Sequence, residues 1–439
     1  MEMRGRFSIA AKRMSRSVIR ELLKLTSRPG LISFAGGLPY PGGFPVAGIR
    51  EISDRVQSQS PQVALQYSAT EGLPELRDLL VAFLSRNGLE VAREELIVTS
   101  ASQQSLDLVG KIFLDRGDTV ITENPSYLGA LSAFRSYGVR FLPVEMDEQG
   151  LRTDLLAREL KELKSSAGSG EEYFQNMPKF IYTIPDFQNP TGVTLSLARR
   201  RELLEVAAEY DLLIVEDVPY KWLRFAGEDL PTLSALEGES AGGGRRVIGL
   251  YTFSKILSPG LRLGWVTADP SVIDKFVQAK QAVDLCTSSL SQSIAAEFLK
   301  SGELEGTIRR NRQAYARKAG AMLEALERQM PRLPGLCWTV PEGGMFLWLI
   351  LPEPLDADRM FKEALEANVA YVVGSAFYPN GGGHNTMRLN FSFPSEEEIR
   401  EGIGRLAALI RKLAPAWAPA RAAFDSGRNT AHSRAEGPQ

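Results

Sequence analysis

The chain has 439 residues, 44% of them hydrophobic and 24% charged, with a formal net charge of −2. This is ordinary soluble globular composition, long enough for two domains; the near-neutral balance argues against a nucleic-acid partner, and no apolar run approaches the ~18 residues of a membrane span. Two cysteines, Cys286 and Cys337, and two histidines, His384 and His432, show no metal spacing and no triad, so the expectation is a cytoplasmic, metal-free protein whose thiols are reduced core residues.

Residues 1–30 are basic and amphipathic, without the apolar core of a signal peptide. Ser17 is placed to cap a helix that carries Val18, Ile19, Arg20, Leu22, Leu23 and Leu25 and is ended by Arg28-Pro29-Gly30. The strip Ile32 to Pro39 closes in Gly36 and Gly37, where the backbone can approach a ligand. A proline- and glycine-rich connector runs to Pro45, and Ala64-Leu65-Gln66-Tyr67-Ser68 precedes a helix from Pro74.

From about residue 90, apolar strand runs alternate with helical stretches, which predicts a mostly parallel sheet covered on both faces. Leu96 to Thr99 leads into Ser100-Ala101-Ser102-Gln103-Gln104. Thr119 to Ile121 leads into Glu123-Asn124-Pro125-Ser126-Tyr127, and Phe180 to Ile184 into Asp186 and Asn189-Pro190-Thr191-Gly192. Leu212 to Val215 ends at Glu216-Asp217, and Val247 to Leu250 is followed by Thr252-Phe253-Ser254-Lys255 and, after a Ser-Pro-Gly turn, Arg262. In such sheets ligands gather beyond the carboxyl ends of the strands, and every one of these polar clusters falls on that rim. After residue 300 a long charged helix (Leu304 to Arg328) and the strands Met345 to Leu351 and Thr386 to Phe391 predict a smaller α+β domain. The alanine- and proline-rich stretch from Pro415 reads as a disordered tail.

Taken singly, each residue has a plain reading. Lys255 is equally a solvated loop lysine, Asp217 a loop aspartate, Asn189 and Tyr220 turn residues, Tyr127 a core aromatic, Ser102 a helix cap. Taken together they form a site. A desolvated lysine loses its charge and can form a Schiff base. Hydroxyls, a helix start and an arginine suit a phosphate, and a carboxylate can pair with a protonated pyridine nitrogen.

The motifs Ser102-Gln103-Gln104, Asn124-Pro125-Ser126-Tyr127, Asn189-Pro190-Thr191-Gly192, Glu216-Asp217-Val218-Pro219-Tyr220, Ser254-Lys255 to Arg262 and Met387-Arg388-Leu389 stand in one order along the chain. In this the chain resembles the aminotransferases of class I/II that depend on pyridoxal 5′-phosphate (PLP) and have fold type I. The strip Ser33 to Pro39, Leu65 to Ser68 and Phe253 to Gly260 look most like the bacterial 2-aminoadipate, kynurenine and broad-range aromatic subgroup. The resemblance implies an α/β fold with a mostly parallel seven-stranded sheet in a large domain (51–300). It further implies a smaller α+β domain (301–414), an N-terminal helix and arm (1–50) joining it, and the tail (415–439). By the same resemblance Lys255 carries the cofactor and shuttles protons, Asp217 pairs with the ring nitrogen, and Asn189 and Tyr220 bind its phenolate oxygen. Tyr127 stacks on the ring; Ser102, Gln103, Thr252, Ser254 and Arg262 hold the phosphate. Tyr67 reaches it from the neighbouring subunit of a homodimer. Arg388 takes the substrate α-carboxylate, near Gly37, Asn189 and Tyr67, and Arg20 takes an acidic side chain. Cis peptides are implied at Asn124-Pro125 and Asn189-Pro190. The implied reaction is ping-pong transfer between an L-amino acid (2-aminoadipate, glutamate, leucine or an aromatic) and a 2-oxo acid such as 2-oxoglutarate. The rival within the fold is a PLP β-lyase or decarboxylase. A fused DNA-binding regulator would need a leading domain, and the roughly 30 residues before Phe34 fall short of the ~50 of a usual one.

Overall fold

The computed structural model describes residues 4–14, 28–239 and 245–414. The helix expected around Ser17 to Leu25, with Arg20, and the stretch from Pro415 lie outside them. Fourteen strands are described: β1 (Ile32–Ser33), β2 (Leu96–Thr99), β3 (Thr119–Asn124), β4 (Arg140–Asp147), β5 (Gly150–Leu151), β6 (Phe180–Thr183), β7 (Leu213–Asp217), β8 (Val247–Thr252), β9 (Gly264–Thr267), β10 (Cys337–Trp338), β11 (Phe346–Ile350), β12 (Val369–Ala370), β13 (Val372–Val373) and β14 (Thr386–Asn390).

The main sheet has the order β2-β9-β8-β7-β6-β3-β4-β5. Strands β8, β7, β6, β3 and β4 run parallel, whereas β9 is antiparallel to β2 and β8. The seven expected strands are present. An eighth, β5, is a two-residue hairpin partner of β4, too short to leave a periodic signal in sequence.

Successive residues along each strand enter opposite cores, as the two-residue period of a strand dictates. Val120, Phe180, Val215 and Ile248 join one core, with Leu106 and Val109 of the helix Ser102–Phe113 and Ala130 and Phe134 of the helix Leu128–Tyr137. Their neighbours Ile121, Ile181, Ile214 and Val247 join the other, with Leu156 and Leu160 of the helix Thr153–Ser166 and Leu203 and Ala207 of the helix Leu197–Glu209. Each of the larger side chains so buried, Val, Leu, Ile or Phe, stabilises the fold by about 1.5–3 kcal/mol. Burial on both faces is why these strands read as unbroken apolar runs.

A second, antiparallel sheet has the order β10-β11-β14-β13. The long helix Glu303–Gln329 packs with the helix Glu396–Leu413, which opens with a capping box between Ser395 and Glu398. Strand β1 pairs in parallel with β12, tying the start of the described chain to its far end. Cys337 is exposed and Cys286 only half-buried, so neither is the core thiol expected; both occupy segments too short or irregular to present a buried face. No helix among the described residues is long and apolar enough to cross a membrane.

Candidate active site

Strand β8 ends at Thr252, and the buried side chains of Phe253, Ile256 and Leu257 anchor the loop that follows. Lys255, caught between them, turns back toward the N-terminal strip, and its Nζ donates to the Gly37 carbonyl at 3.0 Å. Burial, then the charges of Arg388 and Arg262, pushes its amine down to about 8.

Asp217 closes β7, one strand away. Tyr182 of β6 donates to its Oδ2 at 2.9 Å, while its buried Oδ1 has no partner. Burial raises the carboxyl to about 7, against the pull of the Tyr182 hydrogen bond. Glu216, beside it in the strand, points to the other face and accepts from the amides of Leu233 and Ser234. Arg388 of β14 is 1% exposed. Its Nη1 donates to Asn189 Oδ1 at 2.8 Å and its Nη2 to the Ala35 carbonyl at 3.1 Å. Asn189 Nδ2 in turn donates to the Tyr220 hydroxyl at 3.3 Å. The guanidinium lies 4.2 Å over the Phe346 ring. Burial lowers its pKa to about 10, and no carboxylate of the described residues forms a salt bridge with it. A buried charge without a counterion is costly, so this arginine is built to receive an anion. Tyr127 sits in the same field, its phenol raised to about 12 by burial and by Asp217.

The expected phosphate residues divide. Ala101, with φ 68° and ψ 167°, takes the cap position, so Ser102 is the first helical residue rather than the cap. The turn fits because Gly264 opposes it: a Cβ there would lie 2.5 Å from the Tyr251 carbonyl oxygen and 3.0 Å from Ala101 Cα. The first-turn amides of Ser102 and Gln103 have no helical acceptor. The Gln103 side chain, however, donates to the Gly129 carbonyl at 3.1 Å, leaving only its backbone for an anion. The Thr252 hydroxyl donates within the loop, to Ser254 Oγ at 2.9 Å and the Leu263 carbonyl at 3.3 Å. Ser254 is buried beside Thr252, and Arg262 is exposed and left-handed at φ 51°. Tyr67 is 78% exposed. Both expected cis peptides are present, with a third at Glu353-Pro354.

Sequence reading missed Tyr182, Glu123 and Gln188. Tyr182 carries a hydroxyl on an otherwise apolar strand, and Glu123 a charge at a strand end, the only signals available. Among the described residues one group comes within metal-ligating reach, Asp356, Asp358 and His384; His384 Nδ1 lies 2.7 Å from Asp358 Oδ2.

A lysine on the rim of a parallel sheet, its pKa lowered to about 8, beside an arginine that no carboxylate of the described residues pairs with, fits a PLP-type enzyme of amino acids. The free Asp217 Oδ1 fits the one cationic atom such a cofactor presents, its protonated ring nitrogen. The chain belongs to the family of aminotransferases of class I and II, whose profile matches residues 38–406. It is 45% identical over 407 residues to the aromatic-amino-acid aminotransferase 1 of Thermococcus litoralis, covering 92% of this chain and 94% of that one. It is also 45% identical over 407 residues to the 2-aminoadipate transaminase of Thermus thermophilus, covering 93% and 97%. The solved α-aminoadipate aminotransferase of Thermus thermophilus, in complex with N-(5′-phosphopyridoxyl)-L-leucine, superposes with a TM-score of 0.85 at 43% identity, covering 94% and 99%. The protein is thus a fold type I aminotransferase that uses PLP.

The lowered amine gives a direct test. Covalent capture of PLP by the apoprotein needs the neutral amine. Its rate should climb about tenfold per pH unit below the lysine pKa and level off near pH 8. A stopped-flow profile still climbing toward 10.5, the ordinary lysine value, would mean that the amine is solvated.

Proposed function

We propose that the chain transfers the amino group of an L-amino acid to a 2-oxo acid such as 2-oxoglutarate by a ping-pong route, accepting 2-aminoadipate, glutamate, leucine and aromatic donors. The observation that carries this reading is Arg388, a buried guanidinium whose charge acts on Lys255 and which no carboxylate of the described residues pairs with. A bidentate grip on an α-carboxylate supplies the missing charge. The names of the relatives support the range of side chains.

Bound PLP supplies an electron sink for negative charge at the substrate α-carbon. The Lys255 amine moves the α-proton, and Asp217 Oδ1 holds a proton on the ring nitrogen, with Tyr182 fixing its other oxygen. Asn189 and Tyr220 would bind the phenolate oxygen, and Tyr127 would stack on the ring. The Ser102 and Gln103 amides, Ser254 and Arg262 hold the phosphate, while Thr252 braces Ser254. Gly37 and Asn189 line the α-carboxylate position. Tyr67, exposed on one chain, would reach the phosphate of a second copy in a homodimer, and the protein is placed in the cytoplasm by the same reading. Arg20 neutralises the second carboxylate of an acidic substrate. The division into an arm (1–50), a large domain (51–300), a small domain (301–414) and a tail (415–439) belongs to the same reading.

A panel of amino donors tests this. Arg388→Lys keeps the charge but loses the planar fork, so KM should rise for every donor. Arg20→Ala should lower kcat/KM for 2-aminoadipate about a hundredfold relative to leucine, the effect of losing a charge-assisted hydrogen bond of roughly 2–3 kcal/mol. An unchanged ratio removes Arg20 from the pocket, and an Arg388→Lys effect confined to one donor class removes Arg388 from the α-carboxylate.

A further inference from the structure

The loops that leave β3 and β6 deliver Tyr127 and Asn189, two residues of the proposed ring site. One buried pair of side chains ties these loops together. Glu123, 1% exposed at the end of β3, accepts from the Thr183 hydroxyl (2.6 Å) and the Ile184 amide (3.1 Å) through Oε1, and from Gln188 Nε2 (2.9 Å) through Oε2. Gln188, also 1% exposed, spends its second amide proton on the Pro125 carbonyl at 2.9 Å. Its Oε1 accepts from the Thr191 amide at 2.9 Å and the Thr191 hydroxyl at 2.8 Å. Because the Thr191 amide can only donate, the orientation of the Gln188 side chain is fixed. Every polar atom of the pair is therefore committed, and Asn189 follows Gln188 directly. The Asn189 side chain itself is held by Arg388 Nη1 at Oδ1 and by the Tyr220 hydroxyl at Nδ2.

We propose that Glu123 is a positioning residue: through Gln188 it sets the Asn189 amide against the phenolate oxygen of the cofactor and, through Asn189 Oδ1, the Arg388 fork against the substrate carboxylate. A bland alternative is that the pair only stabilises the fold. Against it stands the cost of this arrangement: burial, with a further push from Asp217, raises the Glu123 carboxyl to about 7 despite its three hydrogen bonds. A merely structural link between two strand ends needs no buried carboxylate, since an apolar pair would do as well. The wiring also connects one strand-end acid to two binding groups, since Asn189 follows Gln188 and accepts from Arg388.

The proposal rests on the reading of Asn189 as a phenolate ligand, and the experiment separates the two. An isosteric change, Glu123→Gln, keeps an acceptor for Thr183 and Ile184 but turns an amide donor toward the Gln188 donor. The second variant, Gln188→Met, removes the link at similar volume. The exchange Glu123→Gln/Gln188→Glu restores a donor–acceptor pair and keeps the acceptors for Thr191, but loses the donation to the Pro125 carbonyl. The readout is the pH at which the visible absorbance of the PLP-loaded protein changes, measured without substrate, beside PLP affinity and donor KM. A hydrogen bond to the phenolate oxygen lowers that midpoint. Glu123→Gln and Gln188→Met should each raise it by about one pH unit, a tenfold change in the protonation equilibrium, and raise donor KM severalfold. The exchanged pair, which lacks the Pro125 hydrogen bond, should recover part of the shift, and Asn189→Ala should shift it at least as far as either single variant. If Asn189→Ala moves the midpoint while the Glu123 and Gln188 variants lose only thermal stability, the positioning role is overturned and the Asn189 reading survives. If Asn189→Ala moves nothing, both fall together.

Discussion

Lys255→Ala should bind PLP without a covalent bond and lose turnover by several orders of magnitude. Two contributions vanish together. Positioned proton transfer alone is worth roughly 10²–10⁴-fold, and covalent capture of the cofactor adds to it. Borohydride reduction of the wild type should fix PLP to Lys255, whose amine already reaches into the site at the Gly37 carbonyl. The phosphate cradle and Asp217 survive the change, so PLP should still be retained after gel filtration and its absorbance should become that of a free aldehyde. Added methylamine should restore part of the first half-reaction by acting as a loose amine. Reduction that labels a different lysine, or an alanine variant with more than a few per cent of activity, would set the assignment aside.

The second large effect is at Asp217. An asparagine there keeps the shape and one hydrogen bond to Tyr182 but cannot balance a proton on the ring nitrogen. The expected loss is about 10²–10³-fold in kcat, the size seen when one preorganised electrostatic partner is removed from a dry site, with donor KM little changed because Arg388 is untouched. The substitution also has a signature in the apoprotein. Burial raises Asp217 from 3.8 to about 7, so the folded state holds a proton there that the unfolded chain has given up. Between those two values the folded state binds more protons, and stability falls as pH rises, by at most about 1.4 kcal/mol per pH unit for one such group. Glu123, raised from 4.5 to about 7, adds to the same fall. Asp217→Asn apoprotein should show a shallower decline across pH 4–7 in urea titrations, while PLP should flatten the wild-type curve. Equal slopes for wild type and variant would show that the carboxylate is solvated and not poised for a cation.

These residues were legible for a simple reason. A strand buried on both faces is an apolar run, and where it ends a polar residue on the sheet rim stands out: Asp217 after Leu213 to Glu216, Lys255 after β8. What stayed hidden has equally physical causes. Glu216 and Asp217 look alike in sequence, yet the two-residue period of a strand sends one to a helix start and the other to the site. The reversal of β9 leaves no trace because a buried strand has the same composition in either direction. Ser102 was displaced from the cap by Ala101, whose backbone angles follow from the close approach of Gly264, some 160 residues on. Tyr182 was masked by its apolar body. The hydroxyl of Thr252 and the side chain of Gln103 looked like phosphate ligands because their types suit the task; only their neighbours in space, Leu263 and Gly129, engage them elsewhere.

The strip from Ile32 to Leu38 has a bearing on how the chain is made. Its partners are Val369 and Ala370 across β12, Arg388, Asn390 and Ser392, all hundreds of positions downstream. On a ribosome the N-terminal strip emerges first and must wait, unpaired, for nearly the entire remaining chain before its ladder can close. Until β14 arrives, the Ala35 carbonyl has no guanidinium and the substrate end of the site does not exist, although the sheet that carries Lys255 and Asp217 is already complete. A nascent chain stalled before residue 386 therefore carries Lys255 and Asp217 but not Arg388, the group proposed to take the substrate carboxylate.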